Sequence, residues 1–252
     1  MSAYKAITDH DLISWFQMPL EQGKYILAPD GKIWSAEEYS GKPKLAFDRN
    51  WHYVNNPPDA SCEWLHDICS LFNFIPTRCL GCWKVVVRPN TLQQLFSLQG
   101  LMLEMVAQDP TCYCKCGTEA RPYVFGNYGG YFYQTSKEAM QERYLQVRDL
   151  VHEKIHPTVK VIPKRYCSEY EKDFGPSDKY KQPEYAAHWE KEIADGCHIV
   201  PFEEIQPDLA IRKVMREWIK FAWSIGDPTV YLYTEGAALI APPVTYYPEE
   251  NK

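Results

Sequence analysis

No run in this chain approaches the ~18 consecutive apolar residues of a membrane span, and the opening Met1-Ser2-Ala3-Tyr4-Lys5 carries no apolar signal segment. A soluble, cytoplasmic protein is the expectation. A glycine-rich phosphate loop, a Ser-His-Asp order, an HExxH pair and a CxxxCxxC cluster are also missing, and with them the sequence marks of several large enzyme classes. There is no internal repeat and no tract of clustered Lys or Arg. The nine cysteines are odd in number, and five stand too close together to pair comfortably, which argues against a secreted disulfide scaffold.

Those five cysteines organise the reading. Arg78-Cys79-Leu80-Gly81-Cys82 and Cys112-Tyr113-Cys114-Lys115-Cys116-Gly117 flank a stretch that reads as one strand and one helix. A chain folding back there would bring the clusters together. Thiolates are soft ligands, and ligands supplied as close pairs are cheap to organise. The expectation is a metal centre on Cys79, Cys82, Cys114 and Cys116, with Cys112 as substitute or spare. Zinc would close a structural tetrahedron; an iron–sulfur cluster is the alternative, and would favour redox or sulfur-handling chemistry. Free, reduced thiols are the plainer reading. On the helix before the first cluster, Cys62, His66 and Cys69 form a stripe that could add ligands, although small apolar packing explains it as well.

With 252 residues, 45% hydrophobic and 24% charged, the chain is ordinary for a globular protein of one large domain or two small ones. Aromatic content is high at 14%, with 18 tyrosines, which suggests broad, partly wet packing surfaces or stacking platforms. The net charge of −6 is uneven. Residues 1–78 carry 7 Lys/Arg against 10 Asp/Glu, residues 79–165 carry 11 against 7, and residues 166–252 carry 9 against 16. Only the cysteine-bearing middle is basic, so an anionic partner would be met there.

The three stretches also read as three structural segments of an α+β fold. In 1–78, Thr8 or Asp9 caps a short helix, Pro29-Asp30-Gly31 turns a hairpin, Ser35-x-x-Glu38 caps a brief helix, and a stronger helix runs from about Ala60 to Phe72. In 79–165, strand 84–88, a helix from Thr91 capped by Asn90, the extended cysteine cluster, an aromatic hairpin, a helix capped by Thr135 and strand 159–162 give the order βαββαβ of a ferredoxin-like module. In 166–252, helices over 183–194 and 206–223 alternate with strands at 197–200 and 230–233, and the proline-rich end from Ala241 reads as disordered.

The hairpin Tyr123-Val124-Phe125-Gly126-Asn127-Tyr128-Gly129-Gly130-Tyr131-Phe132-Tyr133 offers a second functional expectation. On a basic sheet, Tyr123, Phe125, Tyr131 and Tyr133 could stack on unpaired bases, making the protein an adaptor for single-stranded nucleic acid or an acidic protein. Packing against neighbouring helices is the competing account. Elsewhere, His152 and His156 share a helical face suited to capping, Cys167 follows Lys164 and Arg165 and could be nucleophilic, and Cys197-His198 point to opposite faces of a strand. The run Glu169 to Asp173 reads as a solvated face.

Overall fold

A computed structural model describes residues 11–40, 50–56, 62–198 and 206–239. The first helix, α1 (Leu12–Glu21), is capped by Asp11, whose carboxylate accepts from the Ser14 amide at 2.7 Å. The caps expected at Thr8 and Asp9 lie outside the described residues. The hairpin forms as expected: β1 (Tyr25–Leu27) and β2 (Ile33–Ser35) pair antiparallel around Gly31, whose φ of +79° only glycine adopts readily. Then come α2 (Ala36–Tyr39), β3 (Trp51–Asn55), α3 (Cys62–Leu71) and α4 (Thr77–Leu80).

The middle of the chain supplies β4 (Trp83–Arg88), α5 (Leu92–Gln108), β5 (Cys114–Thr118), β6 (Tyr128–Gln134), α6 (Lys137–Lys154) and β7 (Lys160–Arg165). Both long helices start one residue later than their sequence signals imply. Thr91 caps α5 by accepting from the Gln94 amide, while Gln94 Oε1 accepts from Asn90 at 2.8 Å; Ser136 caps α6 by accepting from the Ala139 amide. The chain continues through α7 (Ser168–Phe174), α8 (Ala186–Gly196) and α9 (Asp208–Ser224). The strand expected at 230–233 is instead a 3-10 helix, Pro228–Tyr233. Asp227 is the reason: its carboxylate accepts from the Thr229 amide and its carbonyl from Val230, which closes a tight turn. Cys197 makes a single bridge to Ile33; residues 199–200 of that expected strand, and the proline-rich end, lie outside the described residues.

The main sheet runs β3-β5-β6-β4-β7, with every neighbouring pair antiparallel. The class is therefore mixed α+β, as the sequence implies. Strand alternation sends Val85, Val87, Cys114, Cys116 and Phe132 to one face, where they meet Leu95, Leu98 and Met102 of α5, Val147 of α6 and Trp218 of α9 in the largest core. Full burial of such side chains stabilises by roughly 1.5–3 kcal/mol each. Gly130 is what lets α5 sit so close, since a Cβ there would lie 2.5 Å from Leu98 Cδ2 and 2.9 Å from Met102 Cε. Asp227 ties the helix down from outside, accepting from the Leu92 amide at 2.6 Å and from the Tyr128 hydroxyl at 2.7 Å.

A second core joins an early segment to a late one: Phe16, Ile33, Ile68 and Phe72 pack on Trp189 and Ile193 of α8. A third and smaller one holds Ile75, Cys79, Tyr166 and Tyr170. Among the described residues, no helix is long and apolar enough to cross a membrane.

Candidate functional site

The five clustered cysteines occupy separate places. Cys112, Cys114 and Cys116 are fully buried in the main core under α5. Cys112 and Cys114 hydrogen-bond each other, and burial pushes the Cys116 thiol well up. Cys79 belongs to the third core, while Cys82 precedes β4 and acts on the ammonium of Lys84, on the other face of the sheet. The strand order explains the separation. β6 lies between β5 and β4, so the clusters stand two strand spacings apart, roughly 10 Å, whereas sulfurs sharing one zinc sit within ~4 Å of each other. Among the described residues, no group of three or more His, Cys, Asp or Glu is placed to hold a metal ion. The companion stripe does not add one: His66 Nε2 lies 3.4 Å from Asp173, Cys69 is buried in the second core with its thiol pushed up to about 12 by burial, and the Cys62 side chain is outside the described residues. His152, in the last turn of α6, contacts the Val159 carbonyl, and His156 contacts the Thr158 hydroxyl in the loop that follows.

The opposite sheet face gathers cations and rings. Lys115 holds its ammonium 5.0 Å from the ring centre of Trp51, 5.1 Å from Tyr53 and 5.9 Å from Tyr131, geometry that favours a desolvated cation. The Arg88 guanidinium lies 5.3 Å from the centre of the Tyr131 ring. Gly129 leaves its guanidinium room, because a Cβ there would come within 2.7 Å of Nη1. The Tyr131 hydroxyl donates to Glu119 at 3.1 Å, and Arg121 grips the same carboxylate at 2.7 and 2.5 Å while its other arm reaches Glu169. Burial opposes ionisation of Glu119, but its bonds from Arg121 outweigh burial and hold the carboxyl below its usual value. Tyr131 is therefore locked and buried, with its hydroxyl pushed up chiefly by burial.

Tyr123 and Phe125 behave differently from Tyr131 and Tyr133. They are not in a strand; they stand on the loop joining β5 to β6. Phe125 is 72% exposed and Tyr123 44%. Each ring carries a cation, with Lys160 at 4.8 Å from the centre of Phe125 and Lys172 at 5.4 Å from Tyr123. They line a cleft of about 690 Å³ together with Trp83, Tyr144, Arg88, Lys137, Lys164 and Arg165. Lys164 is paired with Glu171 of α7, and the Arg165 guanidinium lies over Trp83 while donating to the Leu80 carbonyl. Trp83, Lys164 and Arg165 were not singled out from the sequence for this site. Pro163 was the available signal, since proline inside a strand marks a sheet edge, and β7 is the edge that borders this cleft.

No family model, curated protein or solved structure matches the chain.

Proposed function

We propose that this protein binds single-stranded nucleic acid through the cleft beside β7, and that β4 to β7 with α5 and α6 form a ferredoxin-like module that presents it. The order β5-β6-β4-β7 with antiparallel neighbours supports the second part. One observation carries the first: a large aromatic ring left mostly in water, Phe125, lines a cleft whose cations include Lys137, Lys164 and Arg165. An exposed ring offers a stacking face to any base, and neighbouring ammonium and guanidinium groups meet the backbone phosphates. The basic balance of residues 79–165 agrees with this even though the chain as a whole is acidic. Cys112, Cys114 and Cys116 pack in the main core, and this reading of the function draws on none of them.

The test is fluorescence anisotropy with a labelled single-stranded oligonucleotide of ~12 nucleotides, a length within the site sizes of single-strand binders. Binding should weaken steeply as salt rises, and Phe125→Ala should weaken it about fivefold or more, the loss of ~1–3 kcal/mol of stacking. Absence of binding, or equal binding by Phe125→Ala, would overturn the proposal. Equal competition by polyglutamate would assign the cleft to an acidic protein instead.

A further inference from the structure

Lys84 leaves the helix-covered face of the sheet and ends in a buried pocket on the other side, where its ammonium lies 3.0 Å from Cys167 Sγ and 5.5 Å from the ring centre of Tyr133. Among the described residues no carboxylate stands within ion-pair distance of it; Glu169 of α7 acts on it from further off. A buried ammonium needs an anion, and the partner at hand is sulfur. Burial alone would lower the pKa of Lys84, yet it is raised, because Cys167 and Cys82, then Tyr133, stabilise its charged form. Cys167 therefore touches the buried cation, and Cys82 acts on it electrostatically.

The backbone is bent to achieve this. Tyr166, between β7 and α7, has φ of +39°, a left-handed conformation that is strained for a residue with a side chain and tends to mark functional positions. It breaks the strand alternation and turns Cys167 toward Lys84. Cys82 is the neighbour across the ladder, since its carbonyl accepts from the Tyr166 amide at 2.8 Å. Opposed residues of antiparallel strands have Cα atoms about 4.5–5.5 Å apart, and Cys167 follows directly on the residue opposed to Cys82, which makes the two a candidate pair for a disulfide. Access points to the same pair: of the eight described cysteines, six are buried, and Cys82 and Cys167 alone are part-exposed.

We propose that Cys167 is a peroxide-oxidised thiol, activated by Lys84 and resolved by Cys82. Attacking in its thiolate form, with the Lys84 ammonium 3.0 Å away, its sulfur takes one oxygen of hydrogen peroxide; the S–O bond forms, the O–O bond breaks, and the departing hydroxide takes a proton from solvent to become water. Sulfur loses two electrons and peroxide gains them, leaving a sulfenic acid. The Cys82 sulfur then attacks the oxidised sulfur, an S–S bond forms as the S–OH bond breaks, and a second water leaves with the Cys82 proton. This site does not depend on the binding function proposed above.

The experiment treats the full chain with hydrogen peroxide and maps peptides by mass spectrometry without reduction, for the wild type, Cys82→Ser and Lys84→Met. The wild type should yield a Cys82–Cys167 linked peptide, and Cys82→Ser a sulfenic acid at Cys167 that dimedone traps. Lys84→Met, an apolar replacement of similar length that suits a buried site, should slow oxidation at Cys167 by about tenfold, the effect of losing the cation beside the sulfur. If Lys84→Met fails to fold, the first two proteins decide. No linked peptide in the wild type, or no trapped acid at Cys167 in Cys82→Ser, would overturn the proposal.

Discussion

His52 makes the stability of the main core sensitive to acid. It lies on β3 with only 4% of its surface exposed, opposite Cys116 in the ladder, and Gln99 Nε2 of α5 donates to its Nδ1 at 2.8 Å. An amide nitrogen only donates, so Nδ1 accepts and the imidazole proton sits on Nε2. Charging the ring would place a cation under a helix and set a donor against a donor. Burial accordingly lowers the pKa of His52 to about 4, against ~6.5 for an unfolded histidine. Between those values the unfolded chain takes up a proton that the folded protein refuses. Stability from this residue is complete above ~6.5 and is lost as pH falls toward the folded value. At ~1.4 kcal/mol per unit of pH, the loss reaches about 2 kcal/mol by pH 5 and about 3 kcal/mol by pH 4. Urea denaturation of the wild type and His52→Gln at pH 7 and pH 5 isolates the term, because the carboxylates titrate in both. The wild type should lose about 2 kcal/mol more than the variant; parallel losses would refute the reasoning.

Other consequences follow from particular contacts. Gly130→Val should cost about 1–3 kcal/mol or more in urea denaturation, since its side chain must displace Leu98 and Met102 of α5. Asp227→Ala should cost about 3 kcal/mol, because it strips the Leu92 amide and the Tyr128 hydroxyl of a charged acceptor. Glu171→Gln removes the carboxylate paired with Lys164, and should tighten oligonucleotide binding by about two- to fivefold in the anisotropy assay, the scale of a partly exposed ion pair.

The α+β class and the element order across 83–165 were legible because each helix there follows a polar cap and each strand is a short apolar or aromatic run bounded by breaks. The caps themselves were ambiguous where two candidates are adjacent, Asn90 beside Thr91 and Thr135 beside Ser136, and backbone geometry selects the second each time. β3 went unread, although Trp51-His52-Tyr53-Val54 has the aromatic and β-branched character of a strand. The reading of 230–233 failed because a capping Asp227 and Pro228 outweigh strand propensity. The two cysteine clusters stand apart for a reason that spacing does not contain: β6 inserts between β5 and β4. The contact of Lys84 with Cys167 spans 83 residues, and no local pattern announces it. The aromatic stretch from Tyr123 to Tyr133 stands out in the sequence as a whole, and alternation does not reveal that Tyr123 and Phe125 leave the sheet while Tyr131 is sealed beneath Glu119 and Arg121.

The central claim is that a single strand lies across Phe125 and the cations beside β7. Ultraviolet cross-linking of the full chain to a single-stranded oligonucleotide, followed by peptide mapping, tests it most directly. The account predicts that the dominant adduct falls on the peptide containing Tyr123 and Phe125 and disappears as salt is raised. Adducts confined to other surfaces, or none under conditions where binding is measured, would contradict it.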